Sequence, residues 1–387
     1  MSNPMPSSLD ISQSSTHHSS LITHHSSPAK LFQRGERARQ KSRFAEALDF
    51  YRQAQAAYKT AKDSEGERDA LIGSGDCLRM TGQFFTAQRA YTRAVALSVT
   101  LDDREGLAES LAGVGLSLRA QGNPERALPY LVEAQQLYHI ARAKEGEGFI
   151  LWALGSTYRF CGDLRKAVAH FRKALTLAKQ QEDQPGIGYA LCGLAGASRL
   201  MGRFADTRRY YREANALFEK IGDVYGRAYS YCGLGNAARM HKEYGEAMRL
   251  FAKAEKLYGR IGDKASFAYT VWAMATVHKM RGDYQLSADE FVRAQQLFRE
   301  TCDHRGTIYC RLGVGELALL QGKKKSAQRE FSRSLEKARR FGYRAEACHA
   351  LTGLALIDPA PDWTTVKKAY RQCGLYFTPL PPPLNLP

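Results

Sequence analysis

Seven cations stand one behind another at intervals of forty residues: Arg39, Arg79, Arg119, Arg159, Arg199, Arg239 and Lys279. A guanidinium presents its N–H donors in a planar fork that pairs with a carboxylate or phosphate through two bonds, so a row of them could bind anions. A second row at the same interval carries Asp69, Glu109 and Phe149, then Tyr189, Tyr229, Tyr269 and Tyr309. Trp152 and Trp272 share a third place with Cys192 and Cys232. Side by side, the rows describe a surface with cations along one edge, aromatics through its middle and C-terminal half, and acids near its N-terminal end. Such a surface suits recognition. Catalysis has little to stand on: there is no P-loop, GxSxG or HExxH pattern, and His139, His170, His241, His278, His304 and His349 fall at different places in the repeat. We therefore expect no enzyme, no cofactor and no metal site.

Rows of this kind require a scaffold of the same period. From Ser27 to Leu386 the chain reads as nine units of forty residues in constant phase. Gly82, Gly122, Gly162, Gly202, Gly282 and Gly322 share unit position 16, and Gly66, Gly106, Gly146, Gly186, Gly226 and Gly306 share position 40. A fixed period of this size marks a solenoid, in which each unit buries its apolar face against its neighbours. In the unit Glu147–Gly186, Leu151, Leu154 and Tyr158 form one helical stripe that ends at Gly162. Leu164, Ala167, Phe171, Ala174, Leu177 and Ala178 form a second. Asp63, Asp103, Asp183, Asp223, Asp263 and Asp303, at position 37, are placed to cap the helix that follows. Small residues at position 7 (Gly73, Gly113, Gly193, Gly233, Gly313) and at position 21 (Ala47, Ala87, Ala127, Ala167, Ala247, Ala327) allow two helices to approach closely. A large aromatic such as Tyr91, Phe171, Tyr211, Phe251, Phe291 or Phe331 would fill the space between hairpins. The fold class expected is all-α, an array of αα-hairpins.

The stretch LGSTYRFCGDLRKAVAHFRKA, Leu154–Ala174, resembles the tetratricopeptide repeat. The units are longer than that family's usual 34 residues and resemble the extended repeats of LGN/Pins-like polarity adaptors. The resemblance covers most of the chain and implies a right-handed α-solenoid whose first helices line a concave groove, with unit positions 3, 6, 10 and 13 exposed along it. Asn236, in GLGNAARM, matches the asparagine with which such adaptors hold a peptide backbone; its equivalents are Glu36, Asp76, Leu116, Ser156, Gly196, Thr276 and Glu316. The ligand groove expected from the rows comprises Arg79, Arg119, Arg159, Arg199, Arg239, Lys279, Tyr189, Tyr229, Tyr269, Tyr309, Trp152, Trp272 and Asn236. Two readings of the cation row stand open. Position 13 lies in the last turn of a helix, where the helix dipole favours a cation by about 0.3–1 kcal/mol. Against capping alone, units about 10 Å apart would bring like charges close enough to repel by roughly 0.4 kcal/mol per adjacent pair in water, a cost that an anionic ligand would relieve. The tyrosines likewise either face a ligand or pack between successive first helices.

The net charge of +17 and pI near 9.5 suit an anionic partner. No run of about 18 apolar residues is present, and the N-terminus lacks a secretory pattern, so a cytoplasmic location without membrane contact is expected. The eight cysteines form no CxxC pair and read as reduced thiols; Cys192 and Cys232, one unit apart, are too distant for a disulfide. Residues 1–27 read as a disordered Ser/His-rich leader whose His17, His18, His24 and His25 could at most bind a metal weakly. Residues 28–376 form the solenoid, and 377–387 a Pro-rich, extended tail. The last unit keeps LTGLALI, breaks the pattern with DPAPDW and loses its aromatic, as a degenerate cap would. The function expected is an adaptor or scaffold that holds an acidic, extended segment of another protein. The alternatives are single-stranded nucleic-acid binding by stacking and phosphate contacts, or a sensor solenoid.

Overall fold

The computed structural model describes residues 27–378 and 380–386, so His17, His18, His24 and His25 lie outside the described residues. Eighteen helices and no strand occur among those residues, paired as nine hairpins from α1 (Pro28–Gln40) and α2 (Phe44–Thr60) to α17 (Arg344–Ala355) and α18 (Trp363–Cys373). No described helix is long and apolar enough to cross a membrane.

The helix boundaries follow from caps. The Asp63 carboxylate accepts from the Gly66 N–H at 2.9 Å, Asp183 from Gly186 at 3.0 Å, Asp223 from Gly226 at 2.8 Å and Asp303 from Gly306 at 2.8 Å. Each such cap contributes about 1 kcal/mol. Between the two helices of a hairpin, the position-16 residue takes left-handed backbone, with φ of 80° at Gly82 and 89° at Gly122. A second left-handed position at the other end of each unit escaped the sequence reading because Lys62, Asp102, Arg142, Glu182 and Cys302 occupy it in five units.

Packing between hairpins centres on the position-25 aromatic. Phe171 is 1% exposed and lies between Gly155 of its own unit and Gly193 of the next. A Cβ at Gly193 would come within 2.4 Å of the Phe171 ring, so glycine sets the helix separation there. First helices are buried nearly all round, as over Gln184–Leu200, whereas second helices such as Phe204–Ile221 bury one stripe. The first helices therefore form the inner wall.

The superhelix winds tightly enough to touch itself three to five units on. A Cβ at Gly122 would sit 2.7 Å from the Tyr343 hydroxyl, the Arg305 guanidinium lies 4.4 Å from the centroid of Phe160, and the Tyr376 N–H donates to the Leu200 carbonyl at 2.8 Å. The concave face is thus a narrow lumen. In the last unit the aromatic is displaced by one residue rather than lost: Tyr370 is 1% exposed and its hydroxyl meets His349 Nδ1 at 2.9 Å and Thr352 Oγ1 at 3.0 Å. The shorter α17 and the DPAPDW break account for the shift.

Candidate functional site

The cation column lines the lumen, and its surroundings divide it into three stretches. At the N-terminal end the unit supplies its own counter-ion from position 10, one helical turn away. Arg39 pairs with Glu36 at 2.7 Å and Arg79 with Asp76 at 3.4 Å. The Tyr51 hydroxyl donates to Glu36, and that of Tyr91 to Asp76 at 2.7 Å. Against the cost of burial, these bonds hold the Glu36 carboxyl below its ordinary range. Glu109, exposed to the lumen but walled by protein, is pushed up to about 7 by lost hydration and by Asp76 and Asp69.

In the middle stretch position 10 carries Leu116, Ser156 and Gly196, which offer no acid. Arg119, Arg159 and Arg199 are half-buried, and among the described residues Nε and Nη1 of Arg119, Nε of Arg159 and Nε and Nη1 of Arg199 have no hydrogen-bond partner. Burial, then Arg79 and Arg159, push Arg119 down to about 9, which still leaves it charged at neutral pH. Phe160 gives partial relief, its ring centroid being 5.3 Å from the Arg119 guanidinium and 5.6 Å from that of Arg159.

At the C-terminal end the expectation of an exposed face fails. Arg239 is 0%, Lys279 2%, Tyr309 5% and Trp272 8% exposed, because the chain's own C-terminal segment returns and covers them. Lys279 Nζ pairs with Glu316 at 2.6 Å and donates to the Leu384 carbonyl at 2.9 Å. Arg239 donates to the Leu386 carbonyl at 3.0 Å, to Asn236 Oδ1 at 3.1 Å and to Asn385 Oδ1. Asn236, singled out as a backbone-holding residue, acts here by orienting Arg239, while its own Nδ2 donates to the Cys232 carbonyl at 3.1 Å. Burial and Arg199 push Arg239 down to about 9.

The aromatic rows divide as well. Tyr189 packs on Phe218 with ring centroids 4.9 Å apart and donates to the capping Asp223 at 2.9 Å. Tyr269 packs on Phe298 at 4.7 Å. Both ring contacts join the two helices of one hairpin, and the Tyr189 bond to Asp223 reaches the cap of the next. Trp152 meets Tyr189 edge-on at 6.4 Å, and Trp272 lies 4.8 Å from Tyr309. Tyr229 is half-buried near the middle cations, with burial raising its phenol and Arg159 lowering it. The Cys192 side chain is fully buried, so position 6 faces the core in that unit. All eight cysteines are free thiols. Sequence reasoning missed Arg305, whose pair with Glu346 at 2.6 Å is buried behind Phe160, and missed the return of Leu384–Leu386. No periodic signal marks either, since Glu346 stands at position 40, where most units carry glycine, and the segment has its partners about a hundred residues or more away in most of its bonds.

Comparison with known proteins agrees with this architecture. The sequence profile of the tetratricopeptide repeat matches residues 66–139, 106–180, 146–220, 186–260 and 267–340, more than half of the chain. No curated protein matches by sequence. Among solved structures, a Rap protein complexed with competence and sporulation factor is similar over 88% of this chain and 99% of its own, with 12% identity and a TM-score of 0.57. The Rap conjugation gene regulator of the plasmid pLS20, in complex with the Phr* peptide, covers 75% of this chain and 80% of its own at 17% identity and a TM-score of 0.58. NprR in complex with its cognate peptide NprX covers 80% and 89% at 12% identity and 0.57.

Proposed function

The chain belongs to the tetratricopeptide repeat family, and we propose that it is a protein-interaction adaptor whose lumen captures an extended, acidic segment of a partner protein. The observation that carries this reading is the contrast within one column: among the described residues the side chains of Arg119, Arg159 and Arg199 make no ion pair or hydrogen bond, whereas Arg79, Arg239 and Lys279 on either side each bind an internal oxygen, although Nε of Arg79 and of Arg239 is also unpartnered. Half-buried donors without acceptors are costly, and a hydrogen bond between charged groups contributes about 1.5–3 kcal/mol. Carboxylates would supply the missing acceptors. Three cations about 10 Å apart run beside roughly six residues of extended chain, which sets acids at every third residue. The similar solenoids seen with competence and sporulation factor, Phr* and NprX are in keeping with a peptide ligand. Eight free thiols are in keeping with a reducing, cytoplasmic location.

The test is fluorescence anisotropy with a labelled twelve-residue peptide carrying Glu at every third position, against the wild-type chain and the Arg119→Met, Arg159→Met, Arg199→Met triple variant. Saturable binding that the variant loses supports the reading. Stronger binding of labelled dT12 than of the peptide, lost in the same variant, would replace it with single-stranded nucleic-acid recognition.

A further inference from the structure

We infer that the C-terminal end of the lumen, walled by Asn236, Arg239, Trp272, Lys279, Tyr309 and Glu316, is a separate subsite that reads a neutral Leu-Asn-Leu segment, and that residues 384–386 of the chain occupy it as a tethered competitor. The inference rests on the reading of the lumen as a peptide groove and adds to it the chemistry of one end and a means of closing it.

The contacts engage both main chain and side chains. The Leu384 N–H donates to Glu316, its carbonyl accepts from Lys279 at 2.9 Å, and the Leu386 carbonyl accepts from Arg239 at 3.0 Å. Asn385 is read twice by one residue: its Oδ1 accepts from the Arg239 guanidinium and its Nδ2 donates to the Arg239 carbonyl at 3.0 Å. Only a side-chain amide offers a donor and an acceptor in that place; an aspartate would set an oxygen against the Arg239 carbonyl. Leu384 and Leu386 are 3% and 7% exposed, and Leu386 lies among Trp272, Phe291, Tyr309 and Leu312. Lys279 and Glu316 neutralise one another, and the Arg239 guanidinium, with no carboxylate beside it, gives its terminal donors to the neutral oxygens of Asn236, Asn385 and Leu386.

The direction of the segment links this subsite to the rest of the groove. The segment passes from Lys279 at Leu384 to Arg239 at Leu386, and the next cation in that direction is Arg199, where the unpartnered stretch begins. A partner that fills the middle stretch and continues toward the C-terminal units must displace residues 384–386. A tethered segment competes at an effective concentration on the order of millimolar, and a ligand for a site that is free only part of the time binds more weakly by that fraction.

The experiment uses a labelled peptide of sequence FTPLPPPLNLP, residues 377–387, titrated into the full chain, a chain ending at Pro383, and full-length Asn385→Ala. Expected is saturable binding at least about tenfold tighter to the truncated chain than to the full chain, with Asn385→Ala between them. A peptide with alanine in place of the asparagine should lose about tenfold. Equal affinity for all three proteins, or no binding to a truncated chain whose thermal melt is native, overturns the inference. If the truncated chain does not fold, Asn385→Ala decides alone: tighter binding than wild type supports the inference and unchanged binding overturns it. The glutamate peptide is run in parallel to separate the two readings. Its binding while FTPLPPPLNLP fails sinks this inference and leaves the proposed function standing, whereas the reverse supports this inference and removes the acidic ligand.

Discussion

Arg159 and Arg239 sit at the same place in their units, two repeats apart, and share side chain and helix position, yet their surroundings are opposite. Arg239 is fully buried and its two terminal nitrogens are bonded to Asn236, Asn385 and the Leu386 carbonyl; Arg159 is half-buried and makes no hydrogen bond or ion pair among the described residues, and Nε is unpartnered in both. The helix dipole is common to both and so cannot account for the difference. Two other things do: the residue one turn earlier on the same helix, and whether the returning segment reaches that unit. Glu36 and Asp76 satisfy the column at one end, Glu316 and residues 384–386 satisfy it at the other, and Ser156 and Gly196 leave the middle open. A repeated residue type therefore marks a row of donors and leaves the partners to be set unit by unit.

Substitutions at the two ends of that contrast should behave differently. The largest effect is expected for Glu316→Ala, which strands the buried Lys279 ammonium; loss of one member of a buried pair costs about 3–5 kcal/mol, read from the denaturant midpoint. Arg159→Met, by contrast, removes a cation with an unsatisfied donor and should leave stability within about 0.5 kcal/mol while weakening the glutamate peptide about tenfold, the worth of roughly one charged hydrogen bond. Comparable destabilisation by both variants would erase the distinction. A smaller effect, insensitive to region, is expected for the caps: Asp183→Ala and Asp63→Ala should each cost about 1 kcal/mol, measured by thermal melts in the same buffer.

The smallest effect concerns pH at the acidic end. Glu109 holds its proton to about 7 in the folded chain, against an ordinary value of 4.5. The folded state thus favours the protonated form, so the stabilising contribution is complete below about 4.5 and is lost as pH rises to about 7. Glu109→Gln should match wild type in stability at pH 4 and exceed it at pH 8, with a Glu109 carboxyl NMR titration midpoint near 7. A midpoint near 4.5 would place Glu109 in ordinary solvent.

The fold was legible because each cue is local and repeats. Asp183 caps within its own turn, Gly122 requires only its own backbone angle, and Phe171 meets Gly155 and Gly193, nine and seven places into consecutive units. The candidate site was legible only in part. Periodicity puts Arg119, Arg159 and Arg199 on one wall, but it cannot register contacts between distant units, such as Arg305 on Phe160, or the bonds of Asn385 to a residue almost 150 positions earlier. The tyrosine row shows the same limit. Tyr189 and Tyr269 repeat with the groove yet spend their faces on Phe218 and Phe298.

The central claim is that the cations with no internal ion pair or hydrogen bond are the ones that hold the ligand. Isothermal titration of the glutamate peptide into Arg79→Met, Arg119→Met, Arg159→Met and Arg199→Met tests it most directly. The account predicts about a tenfold loss for each of the last three and little change for Arg79→Met, whose partner is Asp76. Equal losses in all four, or none in any, would contradict it.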